Sequence, residues 1–313
     1  MPNILIIGAA GQVGLSLIEL CNKTNIKYIA ISRRDLDIID SFAVDLFFQR
    51  NHAMDFVINA AAYTAVDAAE QDQVTAYAVN QYAVKNLALC CKRYDIPLIH
   101  ISTDYVFDGK KKTSYVETDS RNPLSIYGIS KLAGEKELQN LWHKHIILRV
   151  SWIFSEYRTN FVKTMCHLFT KQEEISVVDD QIGCPTSAAS VASVIINIIH
   201  VTFEKNEALW GVYHYSDFPC VSWYTFACNI LSSVESKVSV DNIKTKIIHP
   251  ISSSEYPLPA KRPPNSVLNI EKIQKIFGIR SMCWHLEIQR IIQFIYIQNK
   301  IEDAHAYNFI NTK

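Results

Sequence analysis

Ile4-Leu5-Ile6-Ile7-Gly8-Ala9-Ala10-Gly11-Gln12-Val13-Gly14 is the stretch from which the fold is read. Four consecutive apolar residues lead straight into G-x-x-G-x-x-G, and a helical pattern starts at once, with Val13, Leu17, Leu20 and Cys21 on one face. An apolar run this short and rich in isoleucine suits a strand buried on both sides. Glycines at this spacing serve a tight turn, a close approach of backbone to a pyrophosphate, and close packing of the next helix, whose positive end favours phosphate. The spacing alone also fits a purely structural turn. Its place between the first strand and the first helix makes Gly8, Gly11, Gln12, Val13 and Gly14 candidate cofactor-binding residues.

Outward from this unit, short apolar runs recur at Tyr28 to Ile31, Phe56 to Ile58, Leu98 to Ile101 and Ile146 to Val150. Helical faces lie between them, such as Val79, Ala83, Leu87, Cys90 and Cys91. Strand and helix in alternation imply right-handed crossovers and a parallel sheet covered on both faces. The expected fold class is therefore α/β, a doubly wound parallel-sheet Rossmann fold over residues 1–150. After Ser151 the alternation fades and Trp, Tyr, Pro and Ser become frequent. A smaller, partly discontinuous C-terminal substrate domain is expected over 151–184 and 204–313, with 185–203 returning as a helix onto the first domain. The stretch from Glu302 to Lys313 reads as a loose tail.

Thirty-one Lys and Arg balance 31 Asp and Glu, so the formal charge is zero, and 49% of the residues are hydrophobic. A phosphate-backbone footprint would skew the charge toward basic, which argues against nucleic acid as a partner; disorder is excluded by the apolar content. No apolar run approaches the ~20 residues of a membrane span, and the N-terminus lacks the basic region of a signal peptide, so no membrane partner and a cytoplasmic location are expected. The eight cysteines show no C-x-x-C pair and read as reduced thiols, with Cys184 structural and no metal site.

Eighteen residues past Gly14 the second strand ends in Ser32-Arg33-Arg34. A hydroxyl and two guanidiniums suit a 2′-phosphate, which favours NADPH; if the pair is only a solvated turn, Asp35 or Asp37 could contact the cofactor and NADH would serve. Further on, Tyr127 and Lys131 have the spacing Y-x-x-x-K, one helical turn apart on one face. A fixed cation beside a phenol brings its pKa down toward the working range. Ser102-Thr103-Asp104 follow the fourth strand, on the side where doubly wound sheets bind ligands, and a Thr hydroxyl there can hold a carbonyl oxygen while the tyrosine protonates it.

The glycine loop, Asn59-Ala60-Ala61-Ala62-Tyr63-Thr64-Ala65-Val66-Asp67, Ser102-Thr103-Asp104-Tyr105-Val106-Phe107-Asp108-Gly109, Tyr127 to Lys131 with Gly134-Glu135, and Arg149-Val150-Ser151-Trp152 together resemble the extended short-chain dehydrogenase/reductases. Within these they are most similar to the dTDP-4-dehydrorhamnose reductase family. The likeness runs on through Asn160 to Met165, Val178 to Thr186 and Arg262-Pro263-Pro264-Asn265-Ser266. The resemblance implies reduction of the C4 keto group of dTDP-4-dehydro-L-rhamnose by NAD(P)H, for a surface polysaccharide. It implies that Gly11, Gln12 and Val13 embrace the pyrophosphate and that Asp37 and Ile38 lie near the adenine. Ala62, Tyr63 and Thr64 would line the nicotinamide side. Thr103 and Asp104 would face the sugar, Tyr127 would donate the proton, Lys131 would hold the ribose and tune the tyrosine, and Trp152 would pack on the deoxysugar. Ser32-Arg33 departs from relatives with an acid at that strand tip. Some members are magnesium-dependent homodimers, and the sequence offers no ligand cluster for Mg2+.

Other residues read more plainly. His100 is a hydrogen-bonded core residue rather than a catalytic acid, and Trp210, Trp223 and Trp284 are packing residues. Arg262 is either a clamp for a nucleotide diphosphate or a surface arginine. Two alternatives stand beside the reductase: another nucleotide-linked 4-keto sugar as substrate, and a non-catalytic regulatory subunit like that of methionine adenosyltransferase.

Overall fold

A computed structural model describes residues 2–205, 209–237 and 243–296. In chain order the first half runs β1 (Ile4–Ile7), α1 (Gln12–Thr24), β2 (Tyr28–Ile31), α2 (Ser41–Arg50), β3 (Phe56–Asn59), α3 (Val66–Gln71), α4 (Gln73–Tyr77), a π-helical turn (Ala78–Tyr82), α5 (Ala83–Arg93), β4 (Leu98–Thr103), α6 (Ile126–Leu141) and β5 (His145–Val150). The second half adds β6 (Ile153–Phe154), α7 (Phe161–Phe169), β7 (Glu174–Val178), β8 (Ile182–Gly183), β9 (Thr186–Ser187), α8 (Ala188–Lys205), β10 (Gly211–Tyr215), β11 (Val221–Ser222), α9 (Trp223–Glu235), β12 (Ile247–Ile251) and α10 (Glu271–Phe277). A last helix, α11, spans residues 284–296.

Six strands form one parallel sheet in the order β2-β1-β3-β4-β5-β10. Isoleucine, valine and leucine fill both faces of the central strands, and every residue of β1, β3 and β5 is buried. One face packs on α1, α8 and α10, the other on α2, α5 and α6. Strand order reverses between β1 and β3, so the helices after them leave on opposite sides and open a crevice beyond their carboxyl ends. Local chemistry sets the helix starts: Asp40 accepts from the amides of Phe42 and Ala43 to begin α2, and Ser125 accepts from Gly128 N to begin α6.

The smaller lobe is held by three two-stranded ribbons, β6 with β9, β7 with β12 and β8 with β11, around a core of α7, α9 and α11. Trp284 is fully buried there, and its indole N–H donates to the Pro219 carbonyl.

Two expectations need correction. Gly211–Tyr215, expected in the second unit, is the sixth strand of the main sheet, paired with β5; a five-residue run without a following crossover pattern left no periodic signal. The cysteines are not all reduced thiols: Cys184 and Cys220 form a disulfide, and the other six are free. Cys184 directly follows β8 and Cys220 directly precedes β11, and these strands pair antiparallel with Gly183 opposite Val221. Strand pairing places the two thiols together, which a separation of 36 residues does not reveal.

Candidate functional site

At the carboxyl ends of β1, β3, β4 and β5 lies a cavity of about 530 Å3. Its first wall is the glycine loop. Gly8 has φ +82°, and a Cβ there would sit 2.5 Å from Ala61 N, so the crossing of β1 and β3 excludes any side chain. A Cβ on Gly14 would sit 2.3 Å from Gly8 O, which shows how closely α1 is drawn onto the loop. Gly11 is different: its Cβ would meet only Gly8 O, at 3.3 Å, and it lines the cavity together with Gln12 and Val13. Gly11 is the N-cap of α1 without a capping side chain, so the helix presents free amides and the positive end of its dipole to the cavity. That cradle fits a dinucleotide pyrophosphate. Gly8 and Gly14 shape the loop from beneath and do not line the cavity.

Ser32, Arg33, Asp37 and Ile38 lie outside that lining. Asp35 accepts from both Ser32 N and Ser32 Oγ, and these bonds hold its carboxyl below the usual range. The acid is thus spent on the turn. Arg33 is exposed and forms a long, 3.7 Å ion pair with Asp37. Ile38 is buried, and its carbonyl accepts from Asn86 Nδ2. After β3, Ala62 and Thr64 line the cavity, while the backbone of Tyr63 is clasped by the Asn80 amide through both N–H and carbonyl.

The second wall brings Thr103, Asp104, Tyr127 and Lys131 together. A Cβ on Gly128 would lie 2.3 Å from Tyr105 O, so glycine lets the first turn of α6 settle on the turn that follows β4. The rings of Tyr127 and Tyr105 meet edge to face at 6.0 Å, and Thr103, whose hydroxyl donates to Asp104 Oδ1, lines the cavity with Tyr127. Burial pushes Tyr127 up to about 12, the Thr103 hydroxyl lowers it, and the Asp104 charge raises it again. Lys131 points elsewhere: its Nζ donates to the Ile101 carbonyl at 2.7 Å and lies 3.3 Å from His100 Nε2. The sequence-based expectation that Lys131 draws the phenol pKa down is therefore reversed, because desolvation outweighs a cation that is turned away. Lys131 itself is lowered to about 8 by burial, against the pull of Glu135. Asp104 is raised to about 6 by burial although Ser266, Ser151 and Thr103 bond to it.

The smaller lobe closes the cavity. Trp152 adopts φ +44° and stacks on Trp223 with ring centroids 3.5 Å apart, and a Cβ on Gly183 would lie 2.4 Å from its indole, so glycine lets the ring approach β8 closely. Trp223, read from sequence as packing, lines this cavity and a second one. Gln12 Oε1 accepts from Ser155 Oγ and Asn160 Nδ2, and Arg158 Nε donates to the Ala10 carbonyl at 2.6 Å, so the loop after β6 lies over the glycine loop. Arg262 pairs bidentate with Asp67 of α3 across the cleft. A second cavity of about 620 Å3 opens beyond Arg262, lined by Leu124, Met165, Val178, Gln181, Tyr256 and Leu258 among others. Arg158 carried no signal in sequence, Asn160 appeared there only as part of a family-like stretch and Trp223 only as packing, because each meets the cavity through contacts between distant segments.

Among the described residues no cluster of three or more His, Cys, Asp or Glu side chains is placed to hold a metal ion, so the Mg2+ of some relatives has no fitting donor set. No described helix is long and apolar enough to cross a membrane.

The chain is similar to known proteins along nearly its whole length. The family model described as RmlD substrate binding domain matches residues 2–297. A dTDP-4-dehydrorhamnose reductase of Aggregatibacter actinomycetemcomitans is 41% identical over 295 residues, 93% of this chain and 98% of the relative. That of Escherichia coli K12 is 34% identical, over 96% of this chain and 100% of its own. Among solved structures, a dTDP-4-dehydrorhamnose reductase of Clostridium acetobutylicum superposes with TM-score 0.85 at 36% identity, over 94% and 99% of the two chains. The Bacillus anthracis reductase, solved in complex with NADP, gives 0.82 at 34% identity, over 95% and 99%.

Proposed function

We propose roles for individual side chains from one premise: the chain belongs to the RmlD family of dTDP-4-dehydrorhamnose reductases and is an NAD(P)H-dependent oxidoreductase of dTDP-rhamnose synthesis. The nicotinamide, when bound, supplies the hydride that reduces C4 of the sugar. Tyr127 donates the proton to the oxygen on C4 as negative charge develops there. Its raised pKa suits that task, since burial keeps the phenol protonated at neutral pH until an alkoxide, a far stronger base, is formed beside it. Thr103 hydrogen-bonds the same oxygen. Lys131 holds the ribose hydroxyls, and Gly11, Gln12 and Val13 seat the pyrophosphate on the free amides of α1. Asp104, half-neutralised near pH 6, faces the sugar hydroxyls, and Trp152 packs on the apolar face of the deoxysugar.

The second cavity takes the thymidine, and Arg262, at the border of the two cavities, meets the diphosphate. NADPH is the preferred cofactor, because exposed Arg33, held only by a long ion pair to Asp37, can turn to a 2′-phosphate while Asp35 is held by Ser32. The enzyme works in the cytoplasm, where NAD(P)H and nucleotide sugars are made, and its product feeds a surface polysaccharide.

The observation that carries this reading is the gathering of Thr103, Tyr127 and Lys131 on one cavity wall, opposite the uncapped start of α1. Purified protein given dTDP-4-dehydro-L-rhamnose will oxidise NADPH, and Tyr127→Phe will lower kcat by about 10²–10⁴. Full activity of that variant would remove Tyr127 from the chemistry.

A further inference from the structure

Lys131, His100 and Asn59 form a row behind the cavity, each no more than 1% exposed. Asn59 and His100 are direct register partners on β3 and β4, so both side chains leave the same face of the sheet, toward α6. Asn59 Nδ2 lies 3.1 Å from His100 Nδ1, and His100 Nε2 lies 3.3 Å from Lys131 Nζ.

Hydrogen positions in this row follow from counting donors. The Ala61 amide can only donate, so the Asn59 atom 3.1 Å from it is the oxygen. The other end of the Asn59 side chain is then NH2, and it donates to His100 Nδ1. A ring nitrogen that accepts carries no proton, so neutral His100 bears its proton on Nε2, the atom facing Lys131. An ammonium there sets donor against donor. A neutral amine accepts Nε2–H through its lone pair and still donates to the Ile101 carbonyl.

We propose that His100, locked by Asn59 as the Nε2–H tautomer, is a positioning residue that biases Lys131 toward the neutral amine and fixes where its lone pair points. The proposal rests on the reading of Lys131 as the partner of Tyr127 and the ribose. When Lys131 is neutral its lone pair accepts from Nε2–H, and with burial bringing its two protonation states close in energy near working pH the amine can lose and regain a proton in place.

The surroundings agree. Burial holds His100 well below the usual histidine range, the Lys131 charge beside it lowers it further and His145 on β5 adds a little, so the ring is neutral. Glu135, one turn beyond Lys131 on α6, favours the ammonium, but its carboxylate is already bound bidentate by Arg149 of β5 and by Ser102 of β4. Tyr127 and Asp104 line the same cavity as Lys131.

Two spectra test this. Long-range 1H–15N correlation of His100 in the intact protein is expected to show the Nε2–H tautomer; an Nδ1–H form overturns the proposal, with no variant needed. In protein labelled with ε-13C lysine, Lys131, identified by its loss in Lys131→Met, is expected to titrate near 8. Asn59→Asp offers a carboxylate to Nδ1–H and turns a bare Nε2 toward Lys131. There the tautomer is expected to switch and the Lys131 midpoint to rise by about one pH unit or more. A midpoint that stays put, or one that rises with the tautomer unchanged, overturns the proposal, the latter because charge alone would then explain it. Both spectra as expected in a protein that turns over no sugar would count against the reductase reading alone and leave the coupling of His100 to Lys131 standing.

Discussion

The two walls of the cleft are built by different means. The cofactor wall is local: a strand, a seven-residue loop and a helix start supply it from consecutive residues, and the fit depends on backbone approach, as the Gly8 and Gly14 geometry shows. The opposite wall is assembled from residues more than a hundred positions away, tied on by a few side-chain contacts: Ser155 and Asn160 to Gln12, Arg158 to the Ala10 carbonyl, Arg262 to Asp67. A local wall loses stability when a backbone position is altered. A wall made of distant ties loses substrate affinity first.

The largest expected effect bears on the support of the helix between these two walls, α6. Glu135 and Arg149 are both fully buried and paired, joining α6, which carries Tyr127 and Lys131, to β5. Arg149→Met leaves a buried carboxylate unpaired and is expected to cost about 3–5 kcal/mol in urea denaturation. A loss under 1 kcal/mol would mean that the helix is held by packing alone.

Next come the glycines, where the contrast is sharpest. Gly8→Ala is expected to cost about 2–3 kcal/mol, through a positive φ and a backbone clash. Gly11→Ala, with only one contact at 3.3 Å, is expected to fold nearly as well as the parent but to bind NADPH at least tenfold more weakly, because the methyl group occupies the approach to the α1 amides. Equal losses of stability would erase the distinction between shaping and contacting glycines.

Lys131→Met goes the other way. Burial lowers Lys131 from 10.5 to about 8, so the folded state disfavours its charge. That penalty is absent above pH 10.5, grows as pH falls, and is complete below 8. The variant should be inactive yet about 2 kcal/mol more stable at pH 7, after allowing for the Ile101 carbonyl left without a donor. The advantage should shrink between pH 8 and 10.5. A variant less stable than the parent at pH 7 would show that the hydrogen bond outweighs desolvation.

The smallest effect probes the tie across the cleft. Asp67→Asn loosens Arg262 in a partly exposed pair worth about 1 kcal/mol or less, so Tm should barely move. KM for the nucleotide sugar should change several-fold while KM for NADPH stays, as steady-state kinetics with each substrate varied will show. A change in the NADPH value instead would assign Arg262 to the cofactor side.

What could be read in advance follows the same division. Alternating apolar runs and helical faces located the first five strands of the sheet, since burial on both faces imposes continuous apolarity. The edge strand Gly211–Tyr215 escaped, because it is a short run with no crossover pattern following it. Trp152 stood out by its place after β5, whereas Trp223 did not, since only its stacking on Trp152 brings it to the cavity.

Sequence by itself determined the doubly wound sheet, the glycine loop and the one-turn spacing of Tyr127 and Lys131, because each depends on interactions between residues close in the chain. Tertiary structure alone decided the electrostatics and the far wall. Whether Tyr127 moves up or down depends on how much water reaches it and where Lys131 points, and the Cys184–Cys220 bond depends on β8 meeting β11. Desolvation and long-range pairing are properties of the packed chain, and no local pattern encodes them.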